Sequence, residues 1–300
     1  MSRLPLPVRD GVGPSCVALP EGGDWPTIAA FLLQRFAAIP RATWEARIEA
    51  GDVVDEHGLR VTPGRPYQPR LRVYYYRSLD TEPVIPFDEQ VLHQDAHLLV
   101  VDKPHFLPVT PVGKYVQQSL LVRLKRKLGL DHLAPLHRID RETAGIVLFS
   151  VQPEGRGPYS ALFAERAIHK RYEAIVPWRP GRVLPAIRQS RLAPDRHFMR
   201  MAEVDGEPNA ETHFELLEAR EGWARLGLSP FTGRRHQLRV HCAALGMPIR
   251  NDAIYPVLLP EGSDDFDHPL QLLAREISFV DPMTGAERCF TSLRSLDLPA

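Results

Sequence analysis

The chain has three cysteines, Cys16, Cys242 and Cys289, far apart and odd in number. That excludes a disulfide framework and a cysteine-based zinc cluster, so reduced thiols are expected. No apolar run approaches the roughly 20 residues of a membrane span. The opening residues, MSRLPLPVRDGVGPSC, lack both the apolar stretch and the small-residue cleavage site of a secretory signal, and a cytoplasmic location is expected. An excess of one charge is missing too. With 37 Lys and Arg against 37 Asp and Glu, no global basic surplus argues for a nucleic-acid partner. Neither G-x-G-x-x-G nor G-x-x-x-x-G-K-[ST] follows a strand-like segment, which weighs against a nucleotide-binding doubly wound sheet.

What is present is an ordinary globular composition with unusually clear punctuation. Hydrophobic residues make up 44% and charged ones 25%, enough to build a real core. The 29 prolines mark boundaries, because proline ends helices and strands wherever its missing N–H is needed. Residues 1–24 lack periodicity and read as an extended tail. Ile28, Phe31, Leu32 and Phe36 recur at helical steps and predict a helix over 27–38, followed by a second over 42–50 closed by Gly51. Val53-Val54, Val61 and 71–76 read as short strands. Residues 25–80 therefore form a small unit of two helices and strands, 81–90 a linker, and 91–300 a larger domain. In that domain strand-like segments (LHQDAHLLVVDKP, GIVLFSV, RYEAIVPW, THFELLEA, WARLGLSP) mix with helices predicted over 119–128 and 159–167. Without regular β-α alternation, the expected class is α+β.

Charge is segregated although it sums to zero. Arg179, Arg182, Arg188, Arg191, Arg196 and Arg200 have only Asp195 among them, and Arg123, Lys125, Arg126 and Lys127 form a second cluster. Acids gather between Glu203 and Glu221 and between Glu261 and Asp267. Two readings stand: a basic RNA-facing surface, or solvated loop arginines.

Three segments carry chemistry. In the first, H-R-I-D-R-E-T-A-G from His137 to Gly145, Asp140 sits between Arg138 and Arg141 in a turn that feeds the apolar strand IVLFS. A carboxylate held ionised by neighbouring cations is a candidate nucleophile or base; a surface turn with loose ion pairs is the plain alternative. A kinase loop also contains His-Arg-Asp, but here Ile139 displaces the aspartate and no D-F-G follows. In the second, P-F-T-G-R-R-H-Q-L-R-V-H from Pro230 to His241, Thr232-Gly233 is a predicted helix start. It would place N–H groups and arginines before an anion or a polynucleotide, with Arg235 and Arg239 on one face. His236 and His241 have no third ligand nearby, so no metal site is expected. The third, A-I-H-K-R-Y-E-A-I, places Tyr172 either in the core or against an unpaired base.

In that order, H-R-I-D-R-E-T-A-G, K-R-Y and T-G-R-R-H-Q-L-R-V-H resemble the RluA-type pseudouridine synthases, from about Phe87 onward. The resemblance implies a mixed, mostly antiparallel sheet flanked by helices, and an enzyme that detaches uracil from its ribose in ribosomal or transfer RNA and rejoins it through carbon. It implies Asp140 as the catalytic carboxylate, Tyr172 beneath the target base, and Arg234 paired with the aspartate. Arg138 would help displace the uridine, while Arg141, His236, Gln237 and Arg239 would line the wall and bind RNA. The reaction needs no redox step, energy source or metal, so no cofactor is expected, and a monomer is. Residues 25–80 resemble the alpha-L RNA-binding domain, although a plain helix-turn-helix packing unit accounts for the same residues. One segment departs from the family: after Asp102-Lys103-Pro104 stand His105-Phe106-Leu107, where members carry small residues and a glycine. A non-catalytic RNA-folding protein on the same fold, and a nucleoside or glycoside hydrolase, are the competing readings. The first would be favoured by replacement of Asp140, Tyr172 or Arg234, all of which are present. The second usually needs a second catalytic carboxylate, and no partner acid was evident in the three segments.

Overall fold

The structure, a computed structural model, describes residues 5–77, 81–260 and 265–299. Contacts divide it into two compact units. The first comprises residues up to Pro83 together with 112–117 and 122–131, and the second comprises 84–111, 118–121 and 132 onward. The expected boundary at 80/81 falls beside residues outside those described. So do the first four residues of the expected tail and part of the acidic run that begins at Glu261.

The smaller unit holds strands β1 (Ser15–Ala18), β2 (Val53–Asp55) and β3 (Arg72–Tyr75) in the order β1-β3-β2, with helices α1 (Ile28–Arg35), α2 (Arg41–Glu49) and most of α3 (Leu120–Leu128). Helix α1 begins where Thr27, in extended conformation, accepts a hydrogen bond from Ala30 N–H at 3.1 Å. That satisfies one of the orphan donors of the first turn. Ile28, Phe31 and Leu32 pack on Trp44, Ile48, Val53, Val73 and Tyr75. The expected tail is not wholly a tail: β1 pairs antiparallel with β3, Val17 opposite Val73, and Leu19 is buried beyond it. Two apolar residues among prolines and glycines are too few to register as an alternation, so the strand is visible only through its partner. The expected linker is likewise tied down, since the Glu82 carboxylate accepts from the N–H groups of Val116 and Gln117.

The larger unit is a mixed, mostly antiparallel α+β structure. Its strands are β4 (Gln90–Gln94), β5 (Leu98–Lys103), β6 (Ala134–Pro135), β7 (Ala144–Ser150), β8 (His169–Pro177), β9 (Ile187–Pro194), β10 (Met201–Val204), β11 (Ala210–Arg220), β12 (Trp223–Pro230), β13 (Leu272–Val280) and β14 (Glu287–Thr291). They form one 11-stranded sheet in the order β10-β9-β11-β12-β8-β13-β7-β5-β4, with β14 added to β13 and β6 to β7. Helix α4 (Pro153–Ala164) places Tyr159 and Leu162 over Leu98, Ile146, Leu148 and Phe279. Helix α5 (Gln237–Ala244) places Leu238 and Cys242 over Ala174, Phe214, Leu226 and Leu228. Burying the outward and inward residues of β5 and β7 alike explains why both read as continuous apolar runs.

One register decides where the candidate site lies. Ala274 of β13 pairs in parallel with Gly145 of β7 and antiparallel with Tyr172 of β8. Tyr172 therefore stands two strands, about 10 Å, from the first residues of β7, just past the Asp140 turn. Gly145 makes the close pairing possible. Its φ is +111°, and a Cβ there would lie 2.3 Å from the Ala274 carbonyl oxygen, an impossible distance that only backbone movement relieves. Gly145→Ala is expected to destabilise the protein by more than about 2 kcal/mol. Urea unfolding measures this, and wild-type stability would contradict the register.

Candidate active site

Asp140 lies in the loop between β6 and β7, its side chain 26% exposed. One oxygen, Oδ2, accepts from Arg239 Nη1 at 3.1 Å. The other, Oδ1, faces His236 Nε2 at 3.8 Å. The arginine that pairs with the aspartate is thus Arg239, not Arg234. Arg234 is exposed and donates from Nε to the Asn209 carbonyl at 3.1 Å. The cause is local: the helix predicted from Thr232-Gly233 starts only at Gln237, after His236 takes a left-handed conformation (φ 54°). The delay leaves Arg234 and Arg235 outside the helix and turns Arg239 inward. Arg235, expected on the same helical face as Arg239, instead donates to the carbonyls of Phe198 and Met199.

Arg239 is 1% exposed and its guanidinium is engaged on both sides. Nε and Nη2 grip the carboxylate of Asp252 at 2.8 and 2.7 Å, while Nη1 reaches Asp140 and lies 4.0 Å from Glu142 Oε2. Burial alone would weaken its hold on a proton. Asp252 first, then Asp140 and Glu142, raise its pKa above the ordinary guanidinium value. Such a charge is tolerable inside a protein only because it is paired this closely. Glu142 also corrects the search for a second acid, because it stands in the first segment; its carboxylate, however, is taken by Arg141 Nε at 2.9 Å.

Tyr172 is half-buried and its ring packs on the cluster beneath α5. Burial and then the charge of Asp140 raise its phenol well above the usual value, so it is a neutral ring beside a carboxylate. Arg138 is exposed. Gln237 is 4% exposed and spends its amide within the protein: Nε2 donates to the Glu211 carbonyl and Thr212 Oγ1, and Oε1 accepts from Thr232 and the Arg234 N–H. It braces the loop, and none of that bonding capacity faces outward. His241 is buried between Ser190 and Thr212 hydroxyls.

The floor of the Asp140 loop is held by Lys103, itself wholly buried. Its Nζ donates to the carbonyls of Pro104, Leu107 and Arg141 at 2.9, 2.8 and 3.0 Å, and burial lowers its pKa to about 7. The departing segment turns its bulk inward. Phe106 adopts φ 65°, a conformation that suits glycine, and packs against Phe266 and Phe87, while Leu107 is fully buried. The arginine-rich stretch also differs from its sequence reading. Antiparallel pairing of β9 with β10 brings Arg188 into a bidentate pair with Glu203, and Arg200 lies 3.3 Å from Asp195. Arg179, Arg191 and Arg196 remain exposed.

With this geometry in place, comparison with known proteins identifies the class. The sequence model described as RNA pseudouridylate synthase matches residues 97–244, a span that includes Asp140, Tyr172 and Arg239 and ends before Asp252. An uncharacterised RNA pseudouridine synthase of Synechocystis is 33% identical over 75% of this chain and 78% of its own length. The dual-specificity RNA pseudouridine synthase RluA of Haemophilus influenzae is 35% identical over 67% of this chain and 91% of its own. Human RNA pseudouridylate synthase domain-containing 4 matches in structure with a TM-score of 0.53 and 25% identity, over 69% of this chain and 88% of that one. The chain belongs to the RNA pseudouridylate synthase family, as an RluA-type member, and is an RNA-modifying isomerase. Among the described residues no helix is long and apolar enough to cross a membrane.

Two outcomes are expected from these contacts. Arg239→Met strands the buried Asp252 and should cost about 3–5 kcal/mol, whereas Arg234→Met, which loses one exposed bond, should stay within about 1 kcal/mol. Equal stabilities in urea would overturn the pairing. The second concerns acid. Burial lowers His105 to about 4, His137 to about 3 and His241 to about 4, against 6.5 in the unfolded chain. Between pH 6.5 and 4 the unfolded state therefore binds more protons, so stability rises with pH and is lost on acidification through that window. The limiting slope is about three protons, roughly 1.4 kcal/mol per proton per pH unit. A flat profile from pH 7 to 4.5 would contradict neutral burial of these rings.

Proposed function

We propose that this chain, acting as a cytoplasmic monomer, converts specific uridines of ribosomal or transfer RNA to pseudouridine with Asp140 as the catalytic carboxylate. The observation that carries the reading is the unequal treatment of the carboxylates around Arg239. Asp252 is buried and all its bonding is internal. Asp140 is partly exposed, with one oxygen held by Arg239 and the other without a hydrogen bond among the described contacts. Of the two carboxylates that Arg239 holds in hydrogen bonds, only Asp140 combines ionic support with room for a substrate; Glu142, equally exposed, lies 4.0 Å from Arg239 and is paired with Arg141.

In this reading the uridine leaves its stack before its glycosidic bond can be reached, at a cost of a few kcal/mol. Exposed Arg138 helps displace it, and the neutral ring of Tyr172 receives the base. The carboxylate then attacks covalently or takes the ribose proton that permits a glycal intermediate. The N1–C1′ bond breaks, the freed uracil turns while held, C5 bonds to C1′, and the C5 proton is lost to solvent as N1 takes one up. Arg239 takes the role of charge partner that the family resemblance implied for Arg234. Arg141, through its carbonyl on Lys103, and Gln237 support the loops, while Arg234 is left facing outward to contact RNA. The smaller unit is proposed to bind RNA, in keeping with its alpha-L-like order of helices and strands.

The test compares RNA from cells with and without this gene by pseudouridine mapping, complemented by wild type or Asp140→Asn. One or a few sites should vanish on deletion and return only with wild type. Their return with Asp140→Asn would remove Asp140 from the mechanism.

A further inference from the structure

The three charged sequence segments do not account for what holds the groups that face Asp140. Both Arg239 and His236 are fixed by one short turn, Asp252 to Tyr255, that lies outside those segments. Asp252 Oδ1 accepts from the backbone N–H groups of Ile254 and Tyr255 at 2.8 and 3.1 Å, which shapes the turn. Its two oxygens grip Arg239 and aim Nη1 at Asp140. The same turn brings the Tyr255 hydroxyl 3.0 Å from His236 Nδ1 and lays its ring at right angles to the imidazole, 5.7 Å away.

The hydroxyl also favours one tautomer of the imidazole. Tyr255 Oη already accepts the Met201 N–H at 2.7 Å. In the tautomer that gives its own proton an acceptor, Tyr255 donates to His236 Nδ1 at 3.0 Å. A neutral imidazole that accepts at Nδ1 bears its proton on Nε2, the nitrogen facing Asp140 Oδ1. Burial, the leading effect, lowers the His236 pKa and keeps the ring neutral, with Arg239 and Arg235 acting the same way and Asp140 and Asp252 opposing.

We propose that the Asp252 to Tyr255 turn is a positioning element for the reaction: Asp252 acts through Arg239 and Tyr255 through His236, presenting one N–H group to each oxygen of Asp140. The proposal rests on the reading of Asp140 as the catalytic carboxylate. It makes Asp252 and Tyr255 positioning residues, neither of which touches the substrate.

The experiment uses the full chain and RNA labelled with tritium at uridine C5, whose release reports formation of the new carbon bond. Single-turnover rates at varied enzyme concentration separate the chemical step from RNA binding. Asp252→Asn is expected to lower the limiting rate about 10- to 100-fold and Tyr255→Phe about 5-fold, with the half-saturating concentration unchanged and with partial recovery in Asp252→Glu. Decisively, the losses should not add: Asp252→Asn should cost little further in an Arg239→Lys background, and Tyr255→Phe little further in His236→Gln. Additive losses, or losses confined to RNA binding, overturn the proposal. If Asp252→Asn does not fold, the Tyr255 and His236 pair decides alone, because Tyr255→Phe removes a single oxygen. An active Asp140→Asn would sink the functional reading itself. An inactive Asp140→Asn with additive outer variants sinks only this inference.

Discussion

A guanidinium without access to water, Arg239, is the constraint around which the site is arranged. Desolvating it would cost many kcal/mol if it were unpaired, so the fold must bring carboxylates to it from separate parts of the chain. Asp252 comes from the loop after α5 and Asp140 from the loop before β7. Satisfying the arginine and assembling the site are therefore one event. A chain that has not closed β7, β13 and β8 into register has neither.

The sheet supplies the rigidity that this pairing needs. Asp140 precedes β7, a strand buried on both faces, and the carbonyl of the next residue, Arg141, is fastened from below by the Lys103 ammonium. Tyr172 is carried by β8, whose register with β13 and β12 is fixed over most of its length. A loop carboxylate pinned at both ends and a ring on a central strand can hold a reactive geometry far better than two loops could. The left-handed residues Phe106 and His236 lie at the edges of this arrangement, where backbone strain is tolerated because buried neighbours determine the conformation.

Much of this was legible in sequence, for identifiable reasons. The apolar runs of β5 and β7, the helical stripe at Ile28 to Phe36 and the three charged segments are local signals, and local signals survive without a structure. What failed required a partner. β1 has too few apolar residues to stand out alone. The start of α4 was hidden because Pro153, Gly155, Gly157 and Pro158 all argue against helix, yet Pro153 sits in the first turn, where its missing N–H does no harm. The resemblance implied Arg234 as the partner of Asp140, and what places Arg239 there instead is a late helix start after a left-handed His236, which periodicity cannot detect. Asp252 carried no signal at all, since an isolated acid in a loop becomes meaningful only when an arginine is found pointing at it.

The separation of inner and outer arginines has a consequence for how the protein meets RNA. Arg239 and Arg188 are committed to carboxylates and cannot neutralise phosphates without leaving buried or half-buried acids behind. In the proposed reading, attraction to the polynucleotide comes from exposed cations such as Arg138, Arg179, Arg191 and Arg196, each releasing counterions in a salt-dependent way. In that reading chemistry and affinity are carried by different arginines. The inner set holds one carboxylate in place whatever the ionic strength, because close buried pairs are little screened. The outer set can vary without disturbing it, which lets a zero-charge chain act on a polyanion through the placement of its charges alone.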